Sequence, residues 1–244
     1  MTFIVLLAFI ANTHADEVTD IVKSGGSVQG FAKFDWNRTY ENEFWQNSPS
    51  ASILVRVFMP QRSFIKAGFA LGIGIGFLTE FEYTIPNSYK GTGVGLSPGQ
   101  KIKVSWNDSD SLYNISIFAG TGFCAEFTGF FALVFDLGIA FSFNTASWER
   151  SLSYPIKLYS DVSTNYFGTG ANLGLQLRLG SLTCLEAGVS AYYFFWKWNT
   201  IEVYKADPKD KTNTKETIEN TSGNFEVVKA FRYSTPYVAI GFKF

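Results

Sequence analysis

From residue 67 to residue 83 the chain separates into two interleaved sets. Ala67, Phe69, Leu71, Ile73, Ile75, Phe77, Phe81 and Tyr83 alternate with Gly68, Ala70, Gly72, Gly74, Gly76, Leu78, Glu80 and Glu82. A period of two predicts a β-strand, because successive side chains point to opposite faces. The run "GIGIG" is therefore not a phosphate-cradling loop, which needs G-x-G-x-x-G between a strand and a helix. The same alternation recurs in residues 113–127, 131–143, 171–179, 185–195 and 238–244. Two weaker repeats, at 28–36 and 51–59, bring the count to eight strands.

The links between strands alternate in length. Short ones fall at 60–63, near Thr128 and at 180–182; long ones at 37–50, 84–110, 145–165 and 205–224. Short turns at one end and long polar loops at the other predict an all-β, eight-stranded antiparallel up-and-down transmembrane β-barrel. A ninth candidate, "KIKVSW" at 101–106, would reverse every later strand if it crossed. Residues 101–114 are therefore expected to form a hairpin extension above the membrane.

The two faces decide between a membrane barrel and a soluble one. An eight-stranded barrel has an interior wide enough only for packed side chains or one small ligand. Five strands each carry four to seven large apolar residues on one face, too much bulk for that space, so this face is expected to meet lipid. The other face is Gly, Ala, Ser and Asn with a few charges of both signs. Arg56, Lys66, Glu80, Glu126, Asp136, Arg178 and Glu186, with Lys33, are expected to form a lumenal ion-pair network, since charges in a narrow space must be paired. Gly72, Gly74 and Gly76 would leave room for larger side chains opposite. Tyr83, Phe143, Trp148, Phe195, Trp196, Trp198 and Tyr204 are expected to form an aromatic girdle at the long-loop end. Phe31, Phe34 and Trp36 are not assigned to a face.

Composition agrees. Charged residues make up 17% and aromatic residues 18% of 244, and the net charge is −1. No Lys/Arg cluster suggests nucleic acid. Residues 1–15 have the pattern of a secretory signal peptide, with an apolar core and Thr13-His14-Ala15 as a cleavage box; a buried N-terminal strand is the alternative. The missing basic n-region suggests a start further upstream. Residues 16–244 would then be the barrel, without a histidine, since His14 is the only one. That excludes His-dependent nucleophilic catalysis and zinc binding through imidazole. No enzyme, metal or cofactor is expected. Cys124 and Cys184 fall on the lumen face three strands apart, too far for a disulfide.

The ending "YVAIGFKF", with Val238, Ile240, Phe242 and Phe244, resembles the C-terminal assembly signal of bacterial outer-membrane proteins, and "STPYVAIGFKF" is similar to the last strand of the OmpW family. In plan the chain resembles the small eight-stranded class, which includes the OmpA transmembrane domain, OmpX and opacity-type proteins. The resemblance implies insertion by the barrel-assembly machinery, contact with outer-membrane lipid, and both termini in the periplasm.

Two functions follow. One is a structural or interaction protein with a closed lumen, whose loops meet a host or environmental ligand; the other is an OmpW-like channel for small or hydrophobic solutes. In the first, residues 84–110 are the ordered contact surface, with Tyr89 and Trp106 as exposed aromatic anchors. The polar segment 205–224 is expected to be a solvated loop. Asn37, Asn107, Asn114 and Asn220 stand in N-x-S/T triplets of the kind that arise by chance in polar loops.

Overall fold

The computed structural model describes residues 25–41, 44–60, 64–91, 96–105, 111–153, 156–180, 182–206 and 216–244. Residues 1–24, with the signal-peptide expectation, and Trp106 lie outside them. Eight strands close a ring: β1 (Ser27–Glu41), β2 (Phe44–Phe58), β3 (Ile65–Phe77), β6 (Ser111–Glu126), β7 (Phe131–Ser153), β8 (Ile156–Leu179), β9 (Thr183–Ala206) and β11 (Glu226–Lys243). Every neighbour is antiparallel, and β11 returns to β1, so no barrel strand leaves an unpaired edge in the ring. Two short strands, β4 (Glu80–Thr84) and β5 (Lys101–Ser105), pair only with each other, and β10 (Glu216–Ser222) pairs with the top of β9.

The register fixes the shape. From Phe31, partners run Leu54, Gly72, Phe118, Ala140, Gly168 and Phe194. The other way round, Phe31 pairs with Gly241, which pairs with Cys184. The two paths meet β9 ten residues apart. For eight strands this shear corresponds to a tilt of about 40° and a backbone radius of roughly 8 Å, which side chains must fill.

The faces are set as the alternation dictates. Phe69, Leu71, Ile73, Ile75 and Phe77 are exposed on β3, as are Leu173, Leu175 and Leu177 on β8. Gly72, Gly74, Gly76, Asn172, Gly174 and Gln176 are buried. On β1, Phe31 points inward and is buried, while Phe34 and Trp36 are outside. A Cβ on Gly74 would lie 2.8 Å from the Cβ of Ser52 and 3.0 Å from the Oγ of Ser116, so small hydroxyl side chains of adjacent strands take the space Gly74 leaves, as Ser48 and Ser50 do at Gly76.

Four expectations are corrected. The links at 37–50 and 145–165 are mostly strand: β1 and β2 pair up to Glu41–Phe44, and β7 and β8 up to Ser153–Ile156. In these stretches the outer face meets water rather than lipid, so the apolar/polar alternation of the lower strands is lost. The 24-residue β8 and β9 are about 80 Å long at ~3.3 Å per residue, far more than a tilted crossing of a ~30 Å hydrocarbon core requires. Their upper parts therefore form a wall standing beyond the apolar belt. Residues 101–114 are not a hairpin: β5 pairs back onto β4, and Ser111 to Asn114 continue β6 against β7. The 205–224 segment includes β10, which extends the wall.

Two bulges re-aim the strands. On β9, Phe167 pairs with Trp196 and Gly168 with Phe194, so Phe195 is the extra residue. Below it the even residues Cys184, Glu186 and Ser190 are buried; above it the odd residues Lys197, Asn199, Ile201 and Val203 are. On β11 the shift lies between Tyr233 and Tyr237, around Pro236, which has no N–H to give a ladder.

Candidate functional site

The candidate site is the lumen and the structure that caps it. At mid-barrel Arg56, on β2, is fully buried and reaches two other strands. Its Nε donates to both oxygens of Asp136 on β7 (2.9 and 3.1 Å) and its Nη2 to Asp136 Oδ2 (2.8 Å). Nη1 donates to Glu186 Oε2 on β9 (2.6 Å) and Nη2 to Glu186 Oε1 (3.0 Å). The carboxylates are held in turn. Tyr237 donates to Glu186 Oε1 (2.6 Å), Gln176 to Glu186 Oε2 (2.9 Å) and Asn172 to Asp136 Oδ2 (3.3 Å). The guanidinium also lies 5.4 Å from the centroid of the Phe31 ring. This layer ties β1, β2, β7, β8, β9 and β11 together across the barrel.

Towards the long-loop end, Lys33 donates to Ser190 (2.7 Å) and Asn172 (3.2 Å), pairs with Asp35 (3.1 Å) and sits over the Tyr237 ring. Arg232 donates to Thr39 and Ser142 (both 2.8 Å). The three cations Arg56, Lys33 and Arg232 are matched by the three carboxylates Asp136, Glu186 and Asp35. Between these layers lies a cavity of about 40 Å³ lined by Lys33, Asp35, Asn37, Asn172, Tyr192 and Arg232 among others. That is room for one or two waters. At the opposite, short-turn mouth, Glu126 meets Arg178 (2.7 Å), Lys243 (3.2 Å) and Lys66 (3.5 Å). Cys124 and Cys184 are buried and unbridged nearby.

Above the polar layers the lining changes character. Leu112, Ala146, Val162, Ile201 and Val203 turn inward from the barrel wall and pack with Leu78, Tyr83, Ile85 and Tyr89 of the β4–β5 segment. The segment is a lid seated in the mouth. Polar contacts fasten it: Tyr83 donates to the carbonyl of Thr200 (2.7 Å), Asn199 to the carbonyl of Thr84 (2.9 Å), and the N–H of Lys90 to Glu219 on β10 (2.7 Å). Burial holds the Tyr83 phenol well above the ordinary tyrosine value.

Of the residues singled out in the sequence, Arg56, Asp136 and Glu186 form one cluster, and Lys66, Glu126 and Arg178 another joined by Lys243. Glu80 is elsewhere: it lies on β4 opposite Ser105, in the lid. Tyr89 is not an exposed anchor but 2% exposed within the lid core, because a lid standing in water buries its apolar side chains. Tyr83, in the lid core, and Tyr204 are both buried and do not belong to the girdle, which Phe143, Trp196 and Trp198 do line from outside. Sequence reasoning missed Asp35, Arg232 and Tyr237. Asp35 and Tyr237 stand beside features that break the alternation, Trp36 and the bulge at Pro236.

No protein-family model matches the chain, and no curated protein matches it. Among solved structures it is similar to a major outer membrane protein from Thermus thermophilus, at 12% identity and a TM-score of 0.52, covering 90% of this chain and 99% of that one. It is also similar to Ail, the attachment invasion locus protein of Yersinia pestis (11%, 0.44, 90% and 99%), and to Neisserial surface protein A (14%, 0.44, 90% and 97%). At such identity the first likeness speaks for the fold alone. With the closed ring and its apolar exterior, it defines the class: the chain has the fold of the small outer-membrane β-barrels.

Proposed function

We propose that this chain is an integral outer-membrane protein with a closed lumen and a structural or interaction role, its strand extensions and outer loops meeting a host or environmental ligand. Both termini lie in the periplasm, and the last strand, with Val238, Ile240, Phe242 and Phe244 facing lipid, is the segment handed to the barrel-assembly machinery. The observation that carries the closed-lumen reading is the Arg56 clamp, which crosses the interior to Asp136 and Glu186 with both sides fully buried. A conduit for hydrophobic solutes would need a continuous open passage, whereas the cavity next to Lys33 and Arg232 has a volume of only about 40 Å³. The lid closes the same interior a second time, with apolar packing.

In planar bilayers the purified protein is expected to give no stable conductance. Reproducible channel steps in the wild-type protein, altered in size by Arg178→Ala, would overturn the closed-lumen reading. With Tyr89 inside, the surface offered to a ligand is the outer face of the lid and the β7–β8–β9–β10 wall. Cells displaying a Lys101→Glu/Lys103→Glu variant should then differ from wild type in binding to whatever surface the wild type recognises.

A further inference from the structure

The short-turn mouth gathers more positive charge than it neutralises. Lys66 at the start of β3, Arg178 at the end of β8 and Lys243 at the end of β11 all reach a single oxygen, Oε1 of Glu126. Among the described residues one side-chain carboxylate faces these three cations, an excess of two positive charges. None of the four side chains is freely solvated: they are 19%, 9%, 21% and 27% exposed for Lys66, Arg178, Lys243 and Glu126. The next carboxylates up the lumen, Asp136 and Glu186, are committed to Arg56. Arg178 Nε is buried and has no hydrogen-bond partner among the described residues. The groups beside Arg178 are poor acceptors: the Cys124 sulfur lies 4.0 Å from Nη2, and Cys184 stands opposite it in register.

Positive charge held this way requires a counter-ion, and a buried N–H without an acceptor requires an oxygen. A guanidinium fork flanked by two ammonium groups suits an oxyanion. We propose that this mouth is a binding site for phosphate or a phosphate-bearing group, held by Arg178, Lys66 and Lys243, with Glu126 as a resident competitor. The site does not depend on which way the barrel crosses the membrane or on whether the lumen conducts. The phosphate has two chemical sources, the free ion and a phospholipid headgroup at the barrel rim. The exposed Phe64 and Phe127, whose rings meet edge to face at 5.4 Å at the same end, would sit beside such headgroups.

The test uses the folded protein in zwitterionic detergent, with inorganic phosphate as probe and ionic strength held constant with chloride. Saturable broadening of the phosphate ³¹P resonance is expected. Glu126→Gln should tighten binding about tenfold by removing the competing carboxylate, and Arg178→Gln should abolish it. Lys243→Gln, at the chain end, gives a weakening of several fold that does not rest on an Arg178 variant folding. Repeating the titration in nanodiscs separates the sources. Phosphate affinity lowered by anionic lipid but not by phosphatidylcholine identifies the headgroup as occupant, and equal affinity in both identifies the free ion. Absence of saturable broadening in both the wild type and Glu126→Gln, in detergent and in phosphatidylcholine discs, would overturn the proposal.

Discussion

Removing the Arg56 guanidinium is the sharpest test of how the barrel is held from within. Arg56→Ala deletes five hydrogen bonds and leaves Asp136 and Glu186 buried with no cation between them. The two acids are unequally supported once Arg56 is gone. Glu186 keeps Tyr237 and Gln176, while Asp136 keeps only the 3.3 Å bond from Asn172 among these contacts. Stripping one side of a buried ion pair costs about 3–5 kcal/mol, because the surviving charge is stranded away from water. The cost comes from the charges left behind, so neutralising them should recover much of it. The triple variant Arg56→Ala/Asp136→Asn/Glu186→Gln is expected to lie within about 2 kcal/mol of wild type, the remainder being lost hydrogen bonds and a cavity. Urea unfolding in lipid vesicles, followed by tryptophan fluorescence and by gel mobility of the unheated barrel, measures all three proteins. An Arg56→Ala protein within about 1 kcal/mol of wild type, or a triple variant no more stable than the single one, would refute the clamp as the element that ties the interior together.

Three further outcomes are expected. Leu175→Arg puts a charge on the lipid face of β8 and should cost about 2–4 kcal/mol in vesicles, while Leu175→Phe should cost under about 1.5 kcal/mol; equal costs would argue against lipid contact there. The Tyr83 phenol stays neutral when the lid is seated, since its docked value is raised, and it ionises near pH ~10 once released. Lid docking is therefore fully stable below about pH 10 and weakens as pH rises above it. Limited proteolysis across that range should show cleavage in the lid that Tyr83→Phe makes less pH-dependent. Deleting Phe195 leaves Phe194 and Trp196 as successive residues opposite Gly168 and Phe167, a regular ladder in which Ile201 and Val203 still face inward. Such a protein should keep its lid seated, with residues 85–105 no more protease-sensitive than in the wild type, and loss of the lid would refute Phe195 as the extra residue of the bulge.

How much of this was legible in the sequence depends on whether two faces of a strand meet different solvents. Phe69 to Phe77 on β3 meet hydrocarbon while Gly68 to Gly76 meet the lumen, so composition alone separates them. The same holds for Leu173, Leu175 and Leu177 against Asn172, Gly174 and Gln176. Where the outer face is polar and the inner face mixes polar with apolar side chains, the signal vanishes. Thr145, Ser147, Asp161 and Ser163 face outward, Asn144, Ser160 and Thr164 face inward beside Ala146 and Val162, and the upper wall reads as loop. The lumenal charges could be collected by parity, but not their partners: nothing in spacing says that Arg56 reaches Asp136 and Glu186 while Lys66 reaches Glu126. That choice is set by the ten-residue shear, a property of the closed ring. Tyr89 misled because an aromatic residue in a polar segment is equally consistent with an exposed anchor and a buried plug.

The upper wall and the lower barrel are one sheet under two opposite rules. In the lower part, water is excluded outside, so apolar side chains face out and the interior holds ions and amides. Above the girdle, water lies outside, and the interior becomes apolar: Val162, Ile201 and Val203 sit inward on strands whose lower halves carry Asn172 and Glu186 inward. A strand with fixed parity cannot satisfy both rules unless its sequence changes phase or its backbone does. β8 changes sequence, keeping even residues inward from Arg178 to Ser160 while their chemistry turns from charged to apolar and hydroxylic. β9 changes backbone, leaving Phe195 as an unpaired residue so that Trp196 and Trp198 stay outside at the boundary and Ile201 and Val203 come in. The lid is then the consequence of that inversion rather than an accessory. An inward apolar surface above the membrane has to be covered, and Leu78, Tyr83, Ile85 and Tyr89 are what the chain supplies to cover it.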